Sequence, residues 1–457
     1  MKTYNVIVVG SGSGGEIVEA ALSQGLTVSW VDKGPLGGTC LNVGCIPSKM
    51  LIYPADRIME IQEAEKLGIT AEIKNVDFHA VMERMRTPIR ESHASMQQGI
   101  KQTKNLDYYH TEAFFTGDYT LEVQGKTIRG EKIFLGSGAR PLIPPIHGID
   151  SVEYLTNENI FDLAEKPESL IIIGGGYIAA EFAHFFAAMG TKVIIFQRGN
   201  RLIPNTEPEI SEILRKQMEK RMTIYFNTEV TAVKKEKNGV TVVGMNLQTG
   251  KEISVTAEKI MVAAGRASNA DTLHVENTGV KTDPRGYILV NEYLETSKKN
   301  IWAFGDAIGK YMFKHVANEE AILAWRNAFH EHKTKMEYSA VPYAVFTYPQ
   351  IAAVGMTESE AKQHHAILVG RAQYRDVAMG EAMQETTGFT KAIVEQQTEK
   401  ILGFHIIGPH ASMLIQEVIN VLAINGNYSY LTQGMHIHPA LPELILRTLG
   451  NLQEPKP

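Results

Sequence analysis

GGTCLNVGCIPSK, Gly37 to Lys49, is the stretch whose reading decides this chain. It holds both of the protein's cysteines, Cys40 and Cys45, five positions apart in a chain of 457 residues. A bare C-x4-C is more often a buried pair than a reactive one, but the neighbours argue otherwise. Gly37, Gly38 and Gly44 give the backbone room to approach something flat. Pro47 suits the first turn of a helix running on from Ile46. A helix N-terminus stabilises a thiolate through its dipole and free N–H groups, and a thiolate is the species that attacks disulfides. The segment predicts a working dithiol, with no thiol left over for a metal centre.

Upstream, YNVIVVG (Tyr4 to Gly10) reads as a strand buried on both faces. It runs into G-x-G-x-x-G at Gly10, Gly12 and Gly15, a helix over Glu16 to Gln24, and a strand over Thr27 to Val31. Asp32 follows, twenty residues beyond Gly12, where a dinucleotide-binding unit needs a carboxylate for the ribose hydroxyls. The glycines let a pyrophosphate reach backbone N–H groups at the helix N-terminus. The expected ligand is FAD rather than NAD, because the cysteine pair follows at once and a dithiol needs a flavin beside it.

The pattern recurs once. Leu170 to Ile173 is a buried strand, Gly174, Gly175 and Gly176 form the turn, and Ala179 takes the third place. A helix over Glu181 to Met189 and a strand over Lys192 to Phe196 complete the copy, so two dinucleotides are expected. Where an NAD site would carry an acid, the chain has Gln197, then Arg198 and Arg201. A neutral amide beside arginine accepts a 2′-phosphate, which favours NADPH over NADH; the other reading of both arginines is solvated surface charge. Gly138 lies in a short glycine segment before Pro141, Pro144 and Pro145, which stiffen the connection to the second unit. Ala263-Ala264-Gly265-Arg266 ends that unit.

The remainder reads as a long helix over Phe78 to Thr103, with its methionines in the core, and hairpin strands over Leu121 to Ile133. Ile301 to Ala307 carries Asp306 at a strand's carboxyl edge. Past Tyr338 come alternating apolar strands with interleaved helices, ending in His438-Pro439-Ala440-Leu441-Pro442-Glu443. In H-P-x-x-x-E the carboxylate can hold the imidazole in one tautomer for acid–base work. A formal charge of −6, from 45 basic and 51 acidic residues, gives no reason to expect nucleic acid or an anionic membrane surface. No apolar run is long enough to span a bilayer, no leader is expected before Thr3, and two cysteines fit a reducing compartment. Cytoplasm is the expected location.

The Gly37–Lys49 segment, the two fingerprints, Asp306 and the H-P-x-x-x-E ending resemble the class I flavoprotein disulfide reductases, over Tyr4 to Leu449. That resemblance implies an α/β protein with two Rossmann-like domains, for FAD and NAD(P), and a C-terminal α+β dimerisation domain. It divides the chain as FAD domain 1–148 and 269–337, NAD(P) domain 149–268 and dimerisation domain 338–457. It implies a Cys40–Cys45 redox disulfide, with Cys45 facing the isoalloxazine as thiolate and Cys40 exchanging with substrate. Lys49 and Glu181 become the pair beside the flavin, Asp306 its ribityl and pyrophosphate ligand, and Tyr177 either a cover for the ring or a packing residue. His438, oriented by Glu443, serves the partner subunit's site in a homodimer, while His436 packs or faces solvent. The absence of a C-terminal cysteine pair disfavours mercuric reductase. Dihydrolipoamide dehydrogenase is the first expectation. The alternative is an NADPH-dependent low-molecular-weight disulfide reductase of the mycothione or glutathione type, which strings such as Lys314-His315-Val316-Ala317-Asn318 resemble. A redox-sensing flavoprotein without turnover is the remote third.

Overall fold

In the computed structural model, which describes residues 1–455, the opening strand β1 (Lys2–Val9) is the centre of the first sheet. Its apolar run lies flat between two parallel neighbours, β2 (Val28–Asp32) and β6 (Lys126–Leu135), with Val6 opposite both Val28 and Lys132. β3 (Leu106–His110) extends the sheet beyond β2, and β4 (Ala113–Gly117) and β5 (Thr120–Val123) form an antiparallel flap on β6. Strand β1 turns at Gly10 into helix α1 (Gly14–Ser23). Gly10 has φ +103°, and a Cβ there would lie 2.1 Å from the Gly136 carbonyl oxygen, so only glycine fits.

After β2 come α2 (Gly38–Val43), α3 (Cys45–Gln62) and the 25-residue α4 (Phe78–Gln102). Asp77 caps α4 by accepting from the Ala80 N–H; Met82 and Met85 are buried in the core as expected, but Met96, on the later turns of the helix, is exposed. β7 (Ala139–Pro141) leads out of the first sheet into a parallel one built from β8 (Ser169–Ile173), β9 (Lys192–Phe196) and β10 (Thr223–Tyr225). Helix α5 (Tyr177–Ala188) joins β8 to β9 and α6 (Pro208–Met218) joins β9 to β10. A meander of β11 (Thr228–Glu236), β12 (Gly239–Asn246) and β13 (Glu252–Ala257) covers the sheet before β14 (Lys259–Val262) returns beside β8. β15 (Arg266–Ser268) pairs with β7, and β16 (Ile301–Ala303) then joins β6, restoring the chain to the first sheet.

Helix α7 (Lys314–Phe329) packs on α1. Beyond it, β17 (Pro342–Val345), β18 (Ile351–Gly355), β19 (Ile367–Gln373), β20 (Phe389–Glu395) and β21 (Ile401–Ile407) make one antiparallel sheet in the order 17-18-21-20-19. Short helices α8 (Glu358–Ala361) and α9 (Ala378–Ala382) interrupt it; α10 (Ala411–Ile424), α11 (Ser429–Thr432) and α12 (Glu443–Gly450) follow. Observed bounds differ from the sequence expectations mainly at helix starts: α5 begins at Tyr177 rather than Glu181, because helical backbone follows directly from the glycine turn.

Two polar seams tie these units together. Between α3 and α5, buried His184 meets Asp56 Oδ1 through Nε2 at 2.9 Å and Arg221 Nη1 through Nδ1 at 3.0 Å. Arginine can only donate, so the ring donates to Asp56 and is neutral; burial and the adjacent Arg221 both depress its pKa, against Asp56. Between the nucleotide unit and the C-terminal sheet, Lys391 of β20, 1 % exposed, reaches Glu207, Glu209 and Glu358 at 2.8, 2.8 and 2.7 Å.

Burial pushes the Glu358 carboxyl up, but its hydrogen bonds to Lys391 and Lys362 outweigh this and hold it at about 2 against a usual 4.5. A folded-state value below the unfolded one stabilises the protein above the unfolded pKa, and the contribution fades as pH falls toward about 2. Lys391→Met strands carboxylates without their cation and should cost about 3–5 kcal/mol. Denaturant titrations at neutral pH and at mild acid check this, and the deficit should shrink in acid as the acids become protonated.

Candidate active site

The carboxyl ends of β1, β6 and β16 open onto one cavity of about 950 Å³, at the top of the range for small-molecule sites, roughly 300–1,000 Å³. Gly10 to Ser13, Asp32, Gly38 to Cys40, Gly138 and Asp306 all line it. Gly12 has open space where a side chain would be, so a ligand can lie against the backbone there. Gly15 does not line the cavity, and a Cβ there would make only an ordinary contact with Trp30; the close packing of α1 on β1 falls to Gly14, whose Cβ would meet Val8 at 2.8 Å. Asp32 is anchored by accepting from the Ser11 and Gly34 N–H groups. The Ser137 hydroxyl is buried on the wall without a hydrogen-bond partner. Asp306 faces the cavity with Arg266 Nε 3.4 Å away, and burial pushes its carboxyl up against that cation. Open glycine backbone, an orphaned hydroxyl and carboxylates at both ends fit an elongated ligand carrying ribose, ribityl and pyrophosphate groups.

The dithiol forms part of the same wall. Cys45 is the first residue of α3, and Cys40, on α2, lines the same wall of the cavity. Donation from the Cys45 thiol, opposed by burial and assisted by Lys314, lowers Cys40 to about 6. The same hydrogen bond and burial raise Cys45. Both cysteines are free thiols.

Behind Cys45, Lys49 Nζ donates to Glu181 Oε2 at 2.6 Å and lies 4.6 Å from the Phe346 ring centre. Glu181 is buried, and its other oxygen accepts from the Phe346 N–H at 2.9 Å. Tyr177 lines the cavity beside Phe313, and burial raises its phenol to about 12. The second glycine turn leads directly into α5: a Cβ on Gly174 would meet the Ala263 carbonyl oxygen at 2.2 Å, Gly176 faces open space, and Ala179 is fully buried. Gln197 packs over Gly175 and donates to the Arg201 carbonyl oxygen at 3.0 Å. Arg198 is 76 % exposed, with Glu229 at 3.8 Å. Gly265 stays outside the cavity, its carbonyl accepting from the Leu142 N–H.

His438 is remote from this chain's own cavity lining. Its Nδ1 is 2.9 Å from Glu443 Oε1, while Oε2 accepts from the Ala440 N–H. The ring is 72 % exposed, so Nε2 faces outward, flanked by the exposed side chains of Met435 and Ile437. His436 is mostly packed, 3.4 Å from Glu417.

The profile described as pyridine nucleotide-disulphide oxidoreductase matches residues 4–321, and the dimerisation-domain profile of the same group matches residues 341–448. The chain belongs to the pyridine nucleotide-disulphide oxidoreductases. It is 35 % identical to mycothione reductase of Mycobacterium tuberculosis over 99 % of this chain and 100 % of that one. It is 30 % identical to dihydrolipoyl dehydrogenase of Bacillus subtilis, over 97 % and 96 % of the two chains. Its fold superposes on the HOCl-induced flavoprotein disulfide reductase RclA of Escherichia coli with a TM-score of 0.87 at 27 % identity, covering 98 % and 99 %. As members of this family do, the protein is an oxidoreductase using FAD and a nicotinamide nucleotide. Among the described residues no helix is long and apolar enough to cross a membrane.

Sequence reading passed over several residues of this oxidoreductase's site. Glu320 is fully buried on α7, accepting from the Gly305 N–H and the Tyr338 hydroxyl at 2.6 Å each, and burial raises it to about 7. It props the turn that presents Asp306. Its only signal was an acid at the buried phase of a helix, beside Val316, Ala317 and Ala321. Phe346 and Lys314 carried no sequence signal of their own.

Gly10→Ala should yield protein that loses most of its FAD, because the new methyl drives Gly136 off the cavity wall. Gly25→Ala, also left-handed at φ +73° but with nothing within 4 Å, should keep it. The flavin-to-protein absorbance ratio of the purified variants checks both.

Proposed function

We propose that the protein reduces a low-molecular-weight disulfide at the expense of NADPH, with Cys40 and Cys45 as the electron-carrying pair. The observation that carries this is the pair Cys40 and Cys45 in one wall of the cavity, with Cys45 at the N-terminus of α3. The thiolate of Cys40 attacks one sulfur of the substrate disulfide, whose S–S bond breaks. The departing thiolate takes a proton from His438 of the partner subunit, which Glu443 orients. The imidazole left neutral by that transfer takes the proton of the Cys45 thiol; the Cys45 thiolate attacks the Cys40 sulfur, closes the Cys40–Cys45 disulfide and expels the second substrate thiolate, which takes the proton back from His438 and leaves as thiol. Two electrons have passed from the dithiol to the substrate. FAD, when bound, supplies the route by which a hydride from the nicotinamide restores the dithiol. Asp32, Asp306, Gly12 and Gly138 hold that cofactor, and Lys49, fixed by Glu181, sets a positive charge beside its ring. Gly174 to Ala179 receive the nicotinamide nucleotide, and the division at 148, 268 and 337 belongs to the same reading.

The choice of NADPH rests on Arg198, exposed and only loosely paired with Glu229 at 3.8 Å, beside the neutral Gln197. Similarity to mycothione reductase over the full length supports the low-mass disulfide, so we place this reading ahead of dihydrolipoamide, the first expectation from sequence. Dihydrolipoamide stays as the second reading because the dihydrolipoyl dehydrogenases match over nearly the whole chain and share the flavin–dithiol chemistry. The outward Nε2 of His438 and the bare Met435 and Ile437 support a homodimer with sites completed across the interface.

Steady-state assays of NADPH and NADH with lipoamide and with several low-mass disulfides should show NADPH preferred and lipoamide the poorer substrate; the opposite ranking refutes this choice. Arg198→Ala should raise KM for NADPH about tenfold, the loss of a charge-assisted contact of roughly 1.5 kcal/mol, and leave NADH unaffected. In Cys40→Ser, NADPH should still bleach the flavin while disulfide turnover disappears.

A further inference from the structure

Helix α4 turns one face toward the core, and the phase of that face can be followed along the sequence. Phe78, Met82, Met85 and Ile89 recur at helical spacing; the first three are buried, and Ile89 packs against the same core. Arg84 adds a hydrogen bond from Nη1 to the Met50 carbonyl oxygen of α3 at 3.0 Å. One turn beyond Ile89 the same face comes to position 93, where an apolar residue would continue the stripe and the chain has histidine instead. Half-buried His93 is hydrogen-bonded there through Nε2 to Asn42 Oδ1. The other end of Asn42 is engaged with backbone: its amide nitrogen donates to the carbonyl oxygens of Pro35, Leu36 and Gly38 at 3.1, 3.0 and 2.8 Å. Those three acceptors fix which end of the amide is nitrogen, so Oδ1 faces His93 and Nε2 of the ring carries the hydrogen.

The loop gathered in this way is a wall of the cavity. Gly38, at φ +62°, presses on the first glycine turn: a Cβ there would lie 2.7 Å from Gly12 Cα and 2.9 Å from the Gly12 nitrogen. Gly12, Gly38 and Asn42 all line the cavity. Helix α2, which starts at Gly38 and carries Cys40, has no side-chain cap at Gly37. Asn42, reaching back from its second turn, holds the entry instead. An asparagine side chain is free to turn about χ1 and χ2, and a partner on Oδ1 fixes both. We propose that His93 is a positioning residue for FAD, acting through Asn42. The imidazole locks the amide, the amide gathers residues 35–38, and that loop holds Gly38 against Gly12 where the cofactor meets backbone. This rests on the reading of the cavity between Gly10 and Asp306 as the FAD site. His93 does not itself line the cavity, so its effect on the cofactor passes through α2 and not by contact.

Release of FAD from the full-length holoenzyme on dilution, read from the fluorescence that free flavin recovers, tests this. His93→Leu continues the apolar stripe, keeps the helix and removes the donor. It should release FAD about fivefold faster, the scale of one neutral hydrogen bond. His93→Gln, whose side-chain amide can place an N–H near the position of the imidazole Nε2, should restore the wild-type rate. An unchanged rate in His93→Leu, or an equal rise in His93→Gln, overturns the proposal. Asn42→Ala should release FAD faster still, and adding His93→Leu to it should change nothing further. A second fivefold rise in that double variant means that His93 acts by another route, and overturns the proposal as well. Should His93→Leu not fold, His93→Ala takes its place under the same expectations. Gly10→Ala separates this inference from the reading beneath it. FAD retained in Gly10→Ala overturns the cavity assignment and His93 with it; FAD lost there, with an unchanged rate in His93→Leu, overturns His93 alone.

Discussion

The contact between α3 and α5 is the constraint on which the site depends. One helix begins with the dithiol, and the other begins at the second nucleotide turn. Along their crossing, Lys49 meets Glu181 and, two turns on, Asp56 meets His184. Leu51, Ile52, Ala55, Phe182, Phe185 and Phe186 belong to the single core between them. Burying Glu181 would be costly without compensation; here the lysine and the Phe346 N–H take both of its oxygens. The ion pair thus fixes three segments from distant parts of the chain, and a shift of α5 would be felt at the sulfurs.

Much of this arrangement was legible in the residues. The two glycine turns announced their strand–turn–helix context because only glycine tolerates the backbone approach at Gly10 and Gly174. The H-P-x-x-x-E ending foretold the His438–Glu443 hydrogen bond. What spacing could not convey was how the chain enters α2, where the Asn42 side-chain amide donates to the carbonyl oxygens of Pro35, Leu36 and Gly38.

Residues that act through distant partners stayed hidden. Lys391, a charged side chain in the middle of a strand, looked like an ordinary alternating position until Glu207, Glu209 and Glu358 converged on it. Arg221 and His184 are separated from Asp56 by more than a hundred residues, and nothing local to any of them signals the others. Substrate identity was equally beyond pattern, because it depends on the surface around Cys40 and on what a second subunit adds.

The neutral imidazole of His184 has a consequence for how this molecule meets acid. Both ring nitrogens are engaged, one toward a carboxylate and one toward a guanidinium, so an added proton must displace Arg221. Unfolded chains bind that proton readily below the ordinary histidine value, about 6.5, and the folded one does not. Mild acidification therefore withdraws folding stability through the joint between α3 and α5.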